Sequence, residues 1–359
     1  MPIFYLCLFM LKLKKVISEM KKLLIITQKV DSEDQLLGFF IDWIIRLAQR
    51  FEKISILCLQ EGKYALPSNV RVISLGKDRG LPKYIWLLNF YRHIIGLKND
   101  YDAVLIHMNP IWVVLGGGLW KILRKKVYLW YTHKAITFKL RIAEKFVNKV
   151  FTASKESFRL SSKKVIVTGH GIDTELFKPD PNKIEDRSYK LKLLSVGRIA
   201  PVKNYGTLIE AAKILADRGV DFIITIVGEP ALERDKDYEE NLKLKVKILK
   251  LEDNFNFVGK VNYKDLPRYY QSHDLFIHLS KTGSLDKTLL EAMACGMRVL
   301  SSNDAAKSFL PEGWIFSSND LEDLSLKILR PDKADFDARQ YVLDNHDLKK
   351  LADKIAAII

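Results

Sequence analysis

Leu193-Leu194-Ser195-Val196-Gly197-Arg198-Ile199-Ala200-Pro201-Val202-Lys203-Asn204 is an apolar run that stops at a glycine and then presents an arginine and a lysine five positions apart. The run up to Val196 reads as a strand, Gly197 permits a sharp turn, and Pro201 discourages helix at Ala200. Arg198 and Lys203 therefore belong to a loop at the carboxyl edge of a sheet, where two cations suit a diphosphate. Farther on, Thr282-Gly283-Ser284-Leu285-Asp286-Lys287-Thr288-Leu289-Leu290-Glu291-Ala292-Met293-Ala294-Cys295-Gly296 has the form of a polar loop entering a helix. A helix amino end offers unpaired amides and partial positive charge, so it is the second place where a phosphate is expected.

Outward from these stretches, short β-branched runs alternate with amphipathic ones, the pattern of βα units around a parallel sheet. Strands are expected at 23–27, 54–59, 71–74, 103–107, 127–131, 149–152 and 165–168, with helices at 36–50, 83–97, 112–123 and 136–147. The alternation stops at the polar, proline-bearing stretch 179–190, a linker by composition. It resumes with strands at 192–196, 222–227, 254–257, 275–279 and 298–301 and helices at 208–218, 238–250, 263–272 and 288–294. The expected fold class is α/β, two tandem Rossmann-like doubly wound domains (20–178 and 191–340) with a ligand cleft between the carboxyl ends of their strands. A helical segment at 341–359 is expected to pack back on the first domain.

A chain of 359 residues with 48% hydrophobic and 28% charged content has the composition of a globular protein of about two domains. The formal net charge of +15 is unevenly placed: residues 1–178 carry 30 Lys and Arg against 14 Asp and Glu, the remainder 28 against 29. The first half therefore suits an anionic surface. Lys121, Arg124, Lys125 and Lys126, then Lys134, Lys139, Arg141, Lys145 and Lys149, are interleaved with Phe138, Leu140, Ile142, Phe146 and Val147, an amphipathic pattern fit for anionic lipid. No nucleic-acid partner is expected, because no RNA motif, zinc spacing or recognition helix accompanies the charge. Cys7, Cys58 and Cys295 form neither a metal spacing nor an even disulfide set, which fits a reducing cytosol. The apolar run 3–11 precedes its lysines and is too short to span a bilayer, so residues 1–19 are read as an extension of uncertain standing before a start at Met20.

Five pieces in the second half recur together: Val196-Gly197-Arg198 with Lys203-Asn204; Ile226-Val227-Gly228-Glu229; Phe257-Val258-Gly259; His273-Asp274-Leu275-Phe276; and Leu290-Glu291-Ala292-Met293-Ala294-Cys295-Gly296. In this order and spacing they resemble the nucleotide-sugar domain of glycosyltransferase family 4, retaining enzymes of the GT-B fold. Gly169-His170-Gly171-Ile172-Asp173 with Phe177 is similar to the segment before that family's interdomain linker. The likeness runs from about Lys21 to Ile359 and is stronger in the second half.

The resemblance implies a retaining transfer of a hexose from a nucleotide diphosphate sugar to a hydroxyl acceptor: a polyprenyl-linked oligosaccharide, a glycolipid or a cell-surface polysaccharide. It implies no cofactor and no metal; Arg198 and Lys203 neutralise the leaving diphosphate instead. His133, just past a first-domain strand, is the histidine facing the sugar, with His107 a lesser acceptor-side candidate. Donor contacts fall to Gly38, Gly197, Gly228, Gly259, Val261, Gly283, Ser284, Leu285, Asp286, Lys287, Thr288 and Glu291, with Glu291 on the ribose. The chain departs from the family's E-x7-E motif at Gly283, where the first glutamate would contact the sugar; Asp286 or the amides of Ser284 and Leu285 are the expected substitutes. Attack from the face of the departing phosphate, which takes up the acceptor proton, is likewise what the family implies. The expected location is cytoplasmic, peripheral on the inner face of the plasma membrane. Two other readings stay open: a metal-independent nucleotide-sugar epimerase of the same fold, and a non-catalytic basic module for membrane or nucleic acid with a vestigial sugar site.

Overall fold

The computed structural model describes residues 21–182, 190–330 and 335–359. The extension 1–19 and most of the linker lie outside them. In chain order, β1 (Lys22–Val30), α1 (Phe40–Ala48), β2 (Lys53–Glu61), β3 (Val70–Ser74), α2 (Lys83–Gly96), β4 (Ala103–His107), α3 (Ile111–Ile122), β5 (Lys126–Trp130), α4 (Phe138–Phe146), β6 (Lys149–Thr152) and β7 (Val165–Val167) form the first unit. Its seven strands run parallel in the order β3-β2-β1-β4-β5-β6-β7. The second unit holds β8 (Leu191–Val196), α5 (Tyr205–Asp217), β9 (Phe222–Val227), α6 (Lys236–Ile248), β10 (Phe255–Gly259), α7 (Leu266–Ser272), β11 (Leu275–His278), α8 (Lys287–Ala294) and β12 (Arg298–Ser301). Its five parallel strands take the order β10-β9-β8-β11-β12. Three helices follow: α9 (Leu321–Leu329), α10 (Ala338–Asn345) and α11 (Leu348–Ile358).

Each apolar run read as a strand forms one, because a parallel sheet covered on both faces buries successive side chains in both directions; Leu23, Leu24, Ile25 and Ile26 are all fully buried. The helix expected from residue 36 starts instead at Phe40. Asp34 is the reason: its carboxylate accepts from the amides of Leu36 and Leu37 at 2.9 Å, and Gly38 N–H returns to Asp34 O at 2.9 Å, winding residues 35–39 into turns.

The first sheet is packed by α1 and α11 on one face and by α2, α3 and α4 on the other. The chain crosses between the units twice. Ile172 and Phe177 are already in the second core, ahead of the boundary expected at 178. In return Leu348, Leu351, Ala352 and Ile355 of α11 enter the first core, where each large aliphatic side chain gains roughly 1.5–3 kcal/mol by leaving water. The crossings are bonded to each other: Ile172 N–H donates to His346 O at 2.7 Å and Leu348 N–H to Ile172 O at 2.8 Å.

Candidate active site

Strand order reverses between β1 and β4 in the first sheet and between β8 and β11 in the second. Loops leaving the carboxyl ends of strands on either side of such a reversal diverge and open a crevice. The two crevices face each other across one cavity of about 340 Å³, lined from both units.

On the second unit's side, Gly197 ends β8 and delivers Arg198 to the cavity. The turn is tight: a Cβ on Gly228, whose φ is +138°, would lie 2.1 Å from Gly197 O, so only glycine lets the ends of β8 and β9 approach this closely. Gly228 N–H in turn donates to Gly259 O at 2.8 Å. The half-buried Arg198 side chain makes no hydrogen bond or ion pair among the described residues. Lys203, at the end of a 3-10 turn, is fixed instead, with Nζ 2.5 Å from Asp286 Oδ2. His278 Nε2–H also donates to that oxygen at 3.0 Å, and the Thr282 hydroxyl lies 3.3 Å from Oδ1. Burial pushes the Asp286 carboxyl up, but Lys203 and His278 outweigh it and hold the group well below the usual carboxylate range. Asp286 is therefore the anchor of Lys203, and its oxygens are committed before any sugar arrives.

α8 points its amino end into the same space. Its N-cap is Asp286, which makes no side-chain cap bond, and the hydroxyls of Ser284 and Thr288 are buried without partners. Deeper in the cavity, Glu291 is 2% exposed and accepts from Tyr270 Oη at 3.1 Å. Burial raises its pKa, while Lys287 and the phenols of Tyr270 and Tyr263 pull the other way. Lys287 donates to Gly171 O at 3.1 Å and sits 3.8 Å from the centre of the Phe39 ring, bridging the units. Burial lowers its pKa to about 8, against the attraction of Glu291, Asp42 and Asp173.

The first unit contributes Glu33, Asp34, Gln35, Leu36 and Phe39 from the loop after β1, with Thr132 and His133 from the loop after β5. Asp34 is held by Lys29 at 2.8 Å. His133 Nδ1 accepts from Ala135 N–H at 3.0 Å, which leaves Nε2 carrying the ring proton. His170, in the crossing segment, donates from Nε2 to Leu285 O at 3.1 Å; burial lowers its pKa to about 3, so the ring is neutral. His107 is a core residue, stacked on Phe40 at 4.1 Å and 3.2 Å from the Thr27 hydroxyl.

Of the residues singled out from sequence, Arg198, Lys203, His133, Gly197, Gly228, Val261, Ser284, Leu285, Asp286, Lys287, Thr288 and Glu291 line this cavity. Gly38, Gly259 and Gly283 do not. Gly38 closes the Asp34 turn, where a Cβ would meet Asp34 O at 2.7 Å, and Gly259 supports Gly228. Gly283 borders a neighbouring pocket; its φ is +64°, and a Cβ there would lie 3.0 Å from Lys134 Nζ. Sequence reasoning missed Phe39, His170 and Tyr263, although Gly169-His170-Gly171 had marked the second of these. Among the described residues no group of His, Cys, Asp and Glu could hold a metal ion, and no helix is long and apolar enough to cross a membrane.

Comparison with known proteins places this geometry. Residues 177–330 match the family described as Glycosyl transferases group 1. The chain is 32% identical over 193 residues to the amylovoran biosynthesis glycosyltransferase AmsK of Erwinia amylovora, covering 51% of this chain and 45% of that protein. It is 25% identical over 252 residues to the 2-deoxystreptamine N-acetyl-D-glucosaminyltransferase of Niallia circulans, covering 61% and 63% respectively. The chain thus spans less than two thirds of the length of either relative. Among solved structures, Anabaena HepE in complex with UDP and glucose superposes with a TM-score of 0.74 at 18% identity, over 94% of this chain and 99% of that one. The fold is GT-B.

Proposed function

We propose that this chain is a metal-independent retaining glycosyltransferase of family 4, moving a hexose from a nucleoside-diphosphate sugar to a hydroxyl acceptor in the synthesis of a cell-surface polysaccharide or glycolipid. The observation that carries the reading is the convergence, in one cavity, of an unpaired Arg198, a Lys203 anchored by buried Asp286, and the open amino end of α8 with two unpartnered hydroxyls. Breaking the bond between sugar and diphosphate moves an electron pair onto the departing oxygen. Donors fixed in advance at that position stabilise the charge without reorganising as it develops. Lys203 is held in this way by Asp286, which His278 also steadies, Arg198 is free to swing onto the phosphates, and the α8 amides add partial positive charge. Glu291, at the far end of α8's first turns, accepts from the ribose hydroxyls.

No carboxylate is assigned as a nucleophile. Asp286 is committed to Lys203 and His278, and Asp34 to Lys29 and two backbone amides. The acceptor hydroxyl attacks on the face that the diphosphate leaves, its proton passing to the leaving oxygen. His133 Nε2–H donates to the sugar. The similarity to an amylovoran biosynthesis glycosyltransferase and to a 2-deoxystreptamine N-acetyl-D-glucosaminyltransferase, and the UDP and glucose in complex with HepE, support the donor class.

The test is a calorimetric titration with UDP and with GDP, followed by incubation of the corresponding nucleotide sugars and a proton spectrum of the product's anomeric centre. Binding of one nucleotide, an α-linked product from an α-linked donor and turnover that survives EDTA are expected. Binding of neither nucleotide would overturn the proposal, and an inverted product would remove the same-face mechanism.

A further inference from the structure

The three helices on the outer face of the first sheet share an unusual surface. α2 and α3 are tied by Tyr91 Oη donating to Leu115 O at 3.0 Å. α3 and α4 meet so closely that a Cβ on Gly117 would lie 2.6 Å from the Phe146 ring. They form a continuous layer over the sheet, and its far side leaves large apolar side chains in water: Tyr84 and Leu88 on α2 at 66% and 61% exposure, Ile122 on α3 at 78%, and Phe138 on α4 at 76%. Tyr84, Leu88 and Ile95 are exposed along one stripe of α2, about a third of a turn round the helix from its buried Phe90 and Ile94.

The charge around these side chains has one sign. Residues 79–143 contain eleven Lys and Arg and only two acids, Asp100 and Asp102. Both acids lie at the amino edge of the sheet, where Asp100 pairs with Lys53 and Asp102 accepts from Lys22 N–H. The one acid within the three helices, Glu144, is taken up by the Ser162 hydroxyl at 2.6 Å.

We propose that the α2–α3–α4 face docks on an anionic lipid bilayer, with Phe138, Ile122 and the α2 stripe entering the interface and the lysines and arginines resting among the headgroups. Apolar side chains spread over a broad layer and surrounded mostly by cations match a bilayer surface, which is flat, apolar below and anionic above. Phe138 opens α4 five residues after His133, so this face adjoins the cavity's first-unit rim. If the site works as proposed above, a lipid-borne acceptor hydroxyl would reach it without leaving the membrane; docking itself does not depend on that function.

Co-sedimentation of the full chain with phosphatidylcholine vesicles, and with vesicles of phosphatidylcholine and phosphatidylglycerol in equal parts, tests the proposal. The chain pellets with the mixed vesicles and not with the neutral ones. At about 0.15 M salt binding weakens but persists, since apolar contact is not screened. Reversing Arg124, Lys139 and Lys145 to glutamate lowers the partition more than about a hundredfold. The pair Phe138→Ser and Ile122→Ser lowers it about tenfold at low salt and nearly abolishes it at 0.15 M, with unchanged melting. Nucleotide titration of the same variants is unaffected, so a failure of the site and a failure of docking read separately. No binding to mixed vesicles, undiminished binding of the charge-reversed variant, or a dimer in solution that the serine pair dissolves would each overturn the proposal.

Discussion

The carboxyl edges of the two sheets look into the same cavity but are built from different chemistry. The second edge concentrates positive charge: Arg198, Lys203, the α8 amino end and Lys287. The first edge supplies a ring, an amide, a hydroxyl and an imidazole from Phe39, Gln35, Thr132 and His133, with the acids Glu33 and Asp34. Apart from Lys29, paired with Asp34, and Lys134, many of its unit's cations lie on or beside the helices that pack on the sheet's other face. On the proposed function, one unit receives the departing anion and the other shapes the sugar and its acceptor. That division ranks the effects of substitution.

The largest loss is expected on the charged edge. Arg198→Ala and Lys203→Ala each lower turnover about a hundredfold or more, because each cation acts on charge that grows toward the transition state. Stability separates them. Arg198 has no partner to abandon, so its variant melts within about 0.5 kcal/mol of the parent. Lys203→Ala leaves buried Asp286 without its cation and costs about 3 kcal/mol or more. Donor turnover beside a melting curve checks both, and near-normal turnover in either would break the division between edges.

Glu291→Ala is expected to act on the ground state, since the proposed ribose contact would exist before chemistry. Loss of a charge-assisted hydrogen bond weakens the free nucleoside diphosphate by about thirtyfold, read by calorimetry. Glu291→Gln, which keeps an acceptor for the Tyr270 hydroxyl, separates a lost ribose contact from a disturbed core.

Lys287 gives the comparison a pH dependence. Its folded pKa of about 8 lies below the ordinary lysine value of 10.5, so in that window the unfolded chain binds a proton that the folded one has released, and stability rises with pH. Nucleotide affinity moves the opposite way, because the cavity loses a cation as pH passes 8. Affinity for the diphosphate is expected to fall about tenfold between roughly pH 7 and 9, and Lys287→Met to flatten the curve. A pH-independent parent would detach Lys287 from the anion site.

The charged edge was largely legible in the sequence because a strand and the loop it feeds are contiguous: Val196-Gly197-Arg198 and the run from Thr282 to Glu291 carry their geometry locally. Partners far apart in the chain were not legible. Asp286 looked like a sugar ligand until the fold placed Lys203, 83 residues away, against it. Phe39 enters the cavity because the Asp34 turn delays the start of α1, a competition between side-chain and backbone hydrogen bonds that apolar spacing does not record. His107 ends an apolar strand like a catalytic histidine, yet Phe40 covers it. Gly283 marked a departure from the family motif, and its φ of +64° beside Lys134 is a conformation that a glutamate would adopt only under strain.

The smallest effect is expected at the neutral edge. His133 is exposed, and its Nδ1 is occupied by Ala135 N–H, so its contribution is a single Nε2–H donor toward the sugar. Removing one neutral hydrogen bond at an exposed position costs about 1 kcal/mol, so His133→Ala lowers turnover about fivefold. Affinity for the free nucleotide is unchanged, because the diphosphate and ribose are held from the other unit. Melting is unchanged as well. Steady-state turnover and calorimetry on the one variant decide the matter: a loss as large as that of Arg198→Ala would move charge stabilisation onto the first edge, and a loss of nucleotide affinity would mean that the imidazole faces the phosphates and not the sugar.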